Sequence, residues 1–215
     1  MLKQLAASVA LSLAMIASVA AQGGVNPPVA TNVPLPASSN VSAWGGASEL
    51  YFGGSFQAAK ATTANGVNVS TTNVAGAQIA YRYHVTDYNA VEARIAFAQP
   101  TQTYGPTVIV HTRAYEISMD YAWTVPSDGF FRPFLLGGFG VIHYSPLAKG
   151  STPGSVTQTK AAIIYGGGVD AKLRGNLSLR IEYRGLFYRV PDFGQIGISK
   201  WNHMPEPDAG IVWHF

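Results

Sequence analysis

The chain contains no cysteine, which excludes disulfides, thiolate metal sites and a lipid anchor built on a cysteine at a processing site. It is also poor in charge: Asp, Glu, Lys and Arg make up 12% of the residues, about half the usual quarter for a globular domain. A soluble protein with so few charges would struggle to cover its surface, whereas a wall facing lipid has no such need. Long hydrophobic runs are missing too. After Ala21 no segment approaches the roughly 20 apolar residues of a membrane-spanning helix. The formal net charge of +3 comes without a dense Lys/Arg cluster, so nothing marks a nucleic-acid partner.

The first residues carry a different signal. Lys3 precedes a run from Leu5 to Ala20 that is apolar apart from Ser8, Ser12 and Ser18, followed by Val19, Ala20, Ala21 and Gln22. A basic start, a short apolar stretch and small residues at a cleavage site read as a secretory signal over 1–21, cut after Ala21. Residues 22–43 hold Pro27, Pro28, Pro34 and Pro36 among Gly, Asn, Ser and Val, and read as a flexible lead. An exported chain with no spanning helix is either a soluble periplasmic protein or a β-barrel.

From about Trp44 the pattern turns to period two, the mark of strands with two different faces. Eight such segments are expected, over about 46–59, 72–83, 90–98, 112–125, 130–144, 158–173, 177–190 and 206–215. The gaps alternate in length. Those at 84–89, 126–129 and 174–176 are short and hold Asp87, Ser127-Asp128-Gly129 and Gly175-Asn176, while those at 60–71, 99–111, 145–157 and 191–205 are long and rich in Thr, Ser, Gly, Pro and Asn. Short turns alternating with long loops on an even number of strands is the layout of an outer-membrane barrel. The expected fold is all-β: an eight-stranded antiparallel transmembrane β-barrel of up-and-down topology over 44–215.

A charge on the lipid face near mid-bilayer costs about 2–4 kcal/mol, so the charged face of each strand must point inward. That phase puts Glu49, Glu92, Glu116, Asp120, Asp170, Glu182 and Asp208 in the lumen, with Arg82, Arg94, Arg132, Lys160, Lys172, Arg180 and Arg184, acids matching bases in number. Eight strands enclose an interior that side chains fill, and charges packed there must pair. A structural ion-pair network is expected, with a gated ion path as the sharper alternative. Tyr81, Tyr83, Tyr121, Trp123, Phe131, Trp213 and Phe215 would form one interfacial aromatic belt, and Phe56, Phe97, Tyr115 and Phe187 the other. Gly137, Gly138 and Gly140 are expected to face Gly166, Gly167 and Gly168 and to permit strong curvature.

The stretch Tyr165-Gly166-Gly167-Gly168-Val169-Asp170, followed by Leu177-Ser178-Leu179-Arg180-Ile181-Glu182-Tyr183-Arg184, resembles the OmpA/OmpX-type small outer-membrane barrels over roughly 46–215. The resemblance implies the outer membrane of a Gram-negative-type bacterium, with outer-membrane lipids and lipopolysaccharide as surroundings. It also implies the barrel assembly machinery as a partner that reads the last strand through Trp213 and Phe215. It is to the barrel alone and does not extend to a peptidoglycan-binding domain.

Chemistry-bearing residues are sparse. His143 and Ser145 faintly resemble the His-x-Ser pair of a lipid A deacylase family, but Pro146 follows where that family has Asn, and no acid lies between Asp128 and Asp170 to orient the base. His84, His111, His203 and His214 are too scattered for a metal-ligand spacing and read as interfacial or loop residues. No catalytic residue, metal or cofactor is therefore expected. Arg113 and Arg189 fall on the outward face near the long-loop rim, where a charge costs only about 0–1 kcal/mol, and could meet lipopolysaccharide phosphates. The expected role is structural or surface-interacting: envelope integrity, adhesion or partner binding through the loops. Narrow or lateral, porin-like passage of small solutes is the alternative, and lipid A hydrolysis a distant third.

Overall fold

The computed structural model describes residues 46–125, 127, 129–195, 197 and 199–215. The expected signal (1–21), the lead (22–43), Trp44, and Pro126 and Asp128 of the second short turn lie outside them.

Among the described residues eleven strands run in chain order: β1 (Ser48–Gln57), β2 (Thr62–Ala64), β3 (Val67–Thr71), β4 (Val74–His84), β5 (Asn89–Ala98), β6 (Thr101–Tyr104), β7 (Val108–Thr124), β8 (Phe131–Pro146), β9 (Gln158–Lys172), β10 (Leu177–Arg189) and β11 (Trp201–His214). Eight of them, β1, β4, β5, β7, β8, β9, β10 and β11, pair antiparallel in that order. β1 then pairs with β11, from Glu49 opposite His214 to Ser55 opposite Asp208, and the barrel closes. Among the described residues no helix is long and apolar enough to cross a membrane.

The closure follows from the alternation. Along β7, Glu116, Ser118, Asp120, Ala122 and Thr124 are buried while Ile117, Met119, Tyr121 and Trp123 are exposed. A slip of one residue would turn those acids into lipid. In β10, Ser178, Arg180, Glu182, Arg184, Leu186 and Tyr188 point inward, and Ile181, Tyr183 and Phe187 outward. Exposed aromatics gather at both rims, with Tyr81, Tyr83, Tyr121, Trp123, Phe131, Trp213 and Phe215 at the short-turn end and Phe56 and Phe187 toward the long loops.

Three features depart from expectation. The loop over 60–71 contains the β2–β3 hairpin, turned by Asn65 and Gly66 at φ 51° and 76°, the residue pair that a tight two-residue hairpin favours. β3 pairs with β6, and β6 with the start of β7, so the long-loop end carries its own small sheet continuous with the wall. β11 begins at Trp201, five residues ahead of 206, running through Pro205 and Pro207.

The glycines do not face one another. Gly166, Gly167 and Gly168 oppose Leu136, Leu135 and Phe134, while Gly137 and Gly138 oppose Tyr165 and Ile164. Close strand approach explains one of them: a Cβ at Gly138 would lie 2.2 Å from the Met119 carbonyl oxygen of β7. At Gly185 the need is different, because the Tyr165 ring lies across it and a Cβ would meet that ring at 2.4 Å.

Candidate functional site

The lumen is stratified. At the short-turn end, Glu49 of β1 is a hub. Arg180 Nη2 lies 2.7 Å from Glu49 Oε2, His84 Nε2 lies 2.6 Å from Oε1, and Arg132 pairs with the same oxygen. His214 Nδ1 stands 3.5 Å away, its other nitrogen 2.7 Å from the Ser178 hydroxyl. His84 and His214 were expected at the interface or in loops. They lie on the inward parity of β4 and β11 instead, with His214 only 2% exposed. Arg180 also forks onto Asp170, at 2.6 and 2.9 Å.

One level up, Arg82 and Arg94 share Glu92, with Arg82 Nη2 2.7 Å from Oε2 and Arg94 Nη2 2.6 Å from Oε1. Arg94 also reaches Glu182 at 2.8 Å and Asp208 at 3.5 Å. The Tyr51 hydroxyl donates to Asp208 Oδ1 at 2.6 Å. The guanidiniums of Arg82 and Arg180 stack on Phe134, 4.2 and 4.9 Å from the ring centre. Above them Arg184 bridges Glu116 at 2.5 Å and Glu206 at 3.1 Å, with Asp120 at 3.9 Å.

The expected balance of charge needs correcting. Glu206, absent from the expected set, is fully buried on the parity of Asp208. It opens the expected last strand, 206–215, and period two counted back from Asp208 points it inward. Lys160 and Lys172 are only half-buried, near opposite ends of β9, and Lys160 acts electrostatically on Asp192 of the loop after β10. Among the described residues, the buried charges are eight carboxylates (Glu49, Glu92, Glu116, Asp120, Asp170, Glu182, Glu206 and Asp208) against five guanidiniums (Arg82, Arg94, Arg132, Arg180 and Arg184). With the half-buried Lys160 and Lys172, which keep the inward parity of β9, the lumen holds eight acids against seven bases.

Toward the long loops the fully buried charges stop. Ile142, Ala162, Ile164, Leu186 and Met204 form an apolar layer, capped by Tyr144, Tyr188, Tyr104 and Phe193. Phe193 comes from the loop after β10, is fully buried, and meets Tyr104 and Tyr144 edge-on at 6.3 and 6.2 Å. Its φ of 52° is a strained conformation for a bulky side chain. The Tyr104 hydroxyl donates to the Pro191 carbonyl, and Asp192 and Gln158 hold each other through side chain and backbone. Burial works against the Asp192 charge, but the Gln158 amide and the Gly194 N–H outweigh it and hold the carboxyl below the usual carboxylate range.

Outside the lumen, Arg113 and Arg189 are exposed on the outward face. Arg189 lies over the Trp201 ring, 5.6 Å from its centre. His143 Nδ1 is 2.9 Å from the Thr159 hydroxyl. Among the described residues it has no hydrogen bond to Ser145 and no carboxylate partner, so the geometry of an activated serine is not assembled. No group of three His, Asp or Glu among the described residues is arranged to hold a metal. The Trp213 and Phe215 rings lie 5.1 Å apart, tilted by 40°, and Phe215 exchanges both backbone bonds with Ser48.

Residues 7–199 match the family model described as the outer membrane protein beta-barrel domain. No curated protein matches the chain. Among solved structures, the fold is similar to Neisserial surface protein A, with TM-score 0.57, 15% identity, and 79% of this chain and 97% of that one covered. It is likewise similar to the outer membrane protein OprG from Pseudomonas aeruginosa, with TM-score 0.55, 10% identity, and 81% and 100% covered. The outer membrane enzyme PagL aligns at TM-score 0.42 and 8% identity, covering 77% of this chain and 99% of that one, a likeness too slight to carry an argument about chemistry.

Proposed function

The chain belongs to the outer membrane protein β-barrel family, and from that premise we propose that it is a closed barrel holding an ordered platform at the cell surface for adhesion, partner binding or envelope integrity. It resides in the outer membrane. The carrying observation is that the lumen is filled along its length, by ion pairs below and by the Ile142–Leu186–Tyr144–Phe193 cap above. Passage along the axis would require both to be dismantled. What the chain invests in is the long-loop end, where β2, β3 and β6 extend the wall. Lys200 Nζ binds the Thr63 carbonyl at 2.5 Å, and Thr152 of the loop after β8 exchanges backbone and hydroxyl bonds with Ile109 at the start of β7. Long loops facing outward follow the general layout of such barrels. Arg113 and Arg189 at that rim would meet lipopolysaccharide phosphates, and Trp213 and Phe215 would present the last strand to the assembly machinery.

The test is a deletion strain complemented with the full chain or with a chain whose 60–71 and 145–157 segments are replaced by Gly/Ser linkers. Detergent sensitivity and surface adhesion should be restored by the full chain only, although both barrels fold. Full restoration by the linker chain would move the function out of the loops.

A further inference from the structure

Beyond the lumen, charge is sorted by end. Eight of the eleven acids are the buried carboxylates, and of the other three Asp87 and Asp128 fall in the short segments 84–89 and 126–129. That leaves Asp192 as the one carboxylate of the long-loop segments, already engaged by Gln158 and faced by Lys160. The outer strand ends and the long loops meanwhile carry Lys60, Arg113, Lys149, Arg189 and Lys200. Among the described residues none of these five forms an ion pair with a carboxylate. Cations left in this state at a surface call for an anion from outside the chain.

Lys149 lines a cleft of about 490 Å³ over the start of β7, together with Gln99, Thr101, His111, Leu147 and Gly150. Both walls are tied to β7. On one side the Pro100 carbonyl receives the Thr112 N–H at 3.0 Å and the Thr112 hydroxyl at 2.8 Å. On the other, Leu147 N donates to His111 O at 2.7 Å and His111 N to Ser151 Oγ at 3.0 Å. The His111 ring sits between the walls. Its Nδ1 lies 2.7 Å from the Thr101 hydroxyl, which fixes the ring, while Nε2 has no partner among the described residues. Gly150 keeps the space beside that nitrogen open: its φ is 80°, and a Cβ there would lie 3.1 Å from Nε2. His111 and Arg113 share the outward parity of β7 with Tyr115, whose ring meets that of Phe97 at 5.2 Å in the expected belt. Two residues advance about 7 Å along a strand, so Arg113 stands one step and the cleft two steps beyond the belt, on the head-group side.

We propose that this cleft binds a phosphate carried on the sugar head group of an outer-leaflet lipopolysaccharide molecule. Lys149 supplies a charge, and His111 a directed donor: with the Thr101 hydroxyl donating to Nδ1, the ring proton is held on Nε2. Arg113, exposed one step nearer the membrane, adds its charge to the same head group. The lipid source follows from parity, because His111 and Arg113 point away from the barrel axis and toward the leaflet. The inference rests on the reading of the long loops as outside the cell and of the rim as meeting lipopolysaccharide. To that reading it adds one built site on the β7 side, three strands round the wall from Arg189.

The full chain, with ¹⁵N in its histidine rings, is folded into neutral-lipid nanodiscs, and the His111 Nε2 signal is assigned by its loss in His111→Gln. It is titrated with lipopolysaccharide, with the same lipopolysaccharide stripped of its phosphates, with inorganic phosphate and with dextran sulfate. A saturable shift of Nε2 is expected with intact lipopolysaccharide, at least tenfold weaker with the stripped form. Lys149→Met should weaken binding about tenfold, the scale of one charge-assisted hydrogen bond. Gly150→Ala, which crowds Nε2, should weaken it too, and Arg189→Met should leave it unchanged. Heat-modifiable migration on gels reports that each variant is folded; if Gly150→Ala is not, the two lipopolysaccharides and Lys149→Met still decide. Equal binding of the two lipopolysaccharides, or an unaltered shift in Lys149→Met, would overturn the proposal. So would binding as tight with inorganic phosphate, which would make the ligand a free anion, or tighter with dextran sulfate, which would make it a soluble polyanion. Adhesion and detergent sensitivity of the deletion strain are read separately, so failure here leaves the loop platform to its own test.

Discussion

Arg180 and Asp170 meet as a two-pronged pair across β10 and β9, Nε to Oδ1 at 2.6 Å and Nη2 to Oδ2 at 2.9 Å, with neither side chain reaching solvent. The same guanidinium also serves Glu49 and Glu92. Removing one partner of a buried pair leaves an uncompensated charge, at a cost of about 3–5 kcal/mol. Arg180→Met should therefore destabilise the folded barrel by about that amount in reversible urea unfolding in lipid. Arg189→Met, at an exposed position, should cost at most about 1 kcal/mol.

Close strand packing makes a sharper prediction from two adjacent glycines. At Gly138 a Cβ would fall 2.2 Å from the Met119 oxygen, while at Gly137 the nearest atom, Ile164 O, is 3.9 Å away. Gly138→Ala should abolish or strongly reduce heat-modifiable barrel, and Gly137→Ala should leave it at normal yield. Equal yields would mean that β7 and β8 can separate.

Phe193 tests the cap. Losing a buried Phe ring costs about 3–5 kcal/mol, but the left-handed backbone there favours glycine by about 1 kcal/mol over an L side chain. Both Phe193→Ala and Phe193→Gly should raise amide exchange around Tyr104, Tyr144 and Tyr188. The glycine variant should be protected by about 1 kcal/mol more than the alanine one.

The Asp192 anchor gives a pH dependence. Its carboxyl is held below the ordinary range, so ionisation stabilises the docked loop. That contribution is complete above the unfolded value of about 3.9 and is lost as pH falls through the lower folded value. Proteolysis between Pro191 and Gln195 should be flat from about pH 7 to 5 and rise only below about pH 4. Asp192→Asn should be cut more readily across the neutral range, with no such rise.

Most of the wall was legible because lipid enforces strict alternation: the charges of β5, β7 and β10 could point only one way. The closing strand was harder. Pro205 and Pro207 look like breakers, and they concealed the first five residues of β11; Glu206 stood inside the expected strand at the parity of Asp208 and was readable there. The histidines were misjudged because scatter in sequence says nothing about register. His84 and His214 converge on Glu49 only once β4, β1 and β11 lie side by side. Asn65-Gly66 is a readable hairpin signal inside the long segment 60–71. Nothing local foretold that Phe193 would turn back into the mouth, since a plug is a long-range contact with no period of its own.

The central claim, a lumen closed by ion pairs below and an aromatic cap above, is tested most directly by single-channel recording of the purified full chain in planar bilayers. The account predicts a bilayer that stays electrically silent apart from rare, brief events. Stable, long-lived openings of about a nanosiemens, the signature of a water-filled pore, would contradict it.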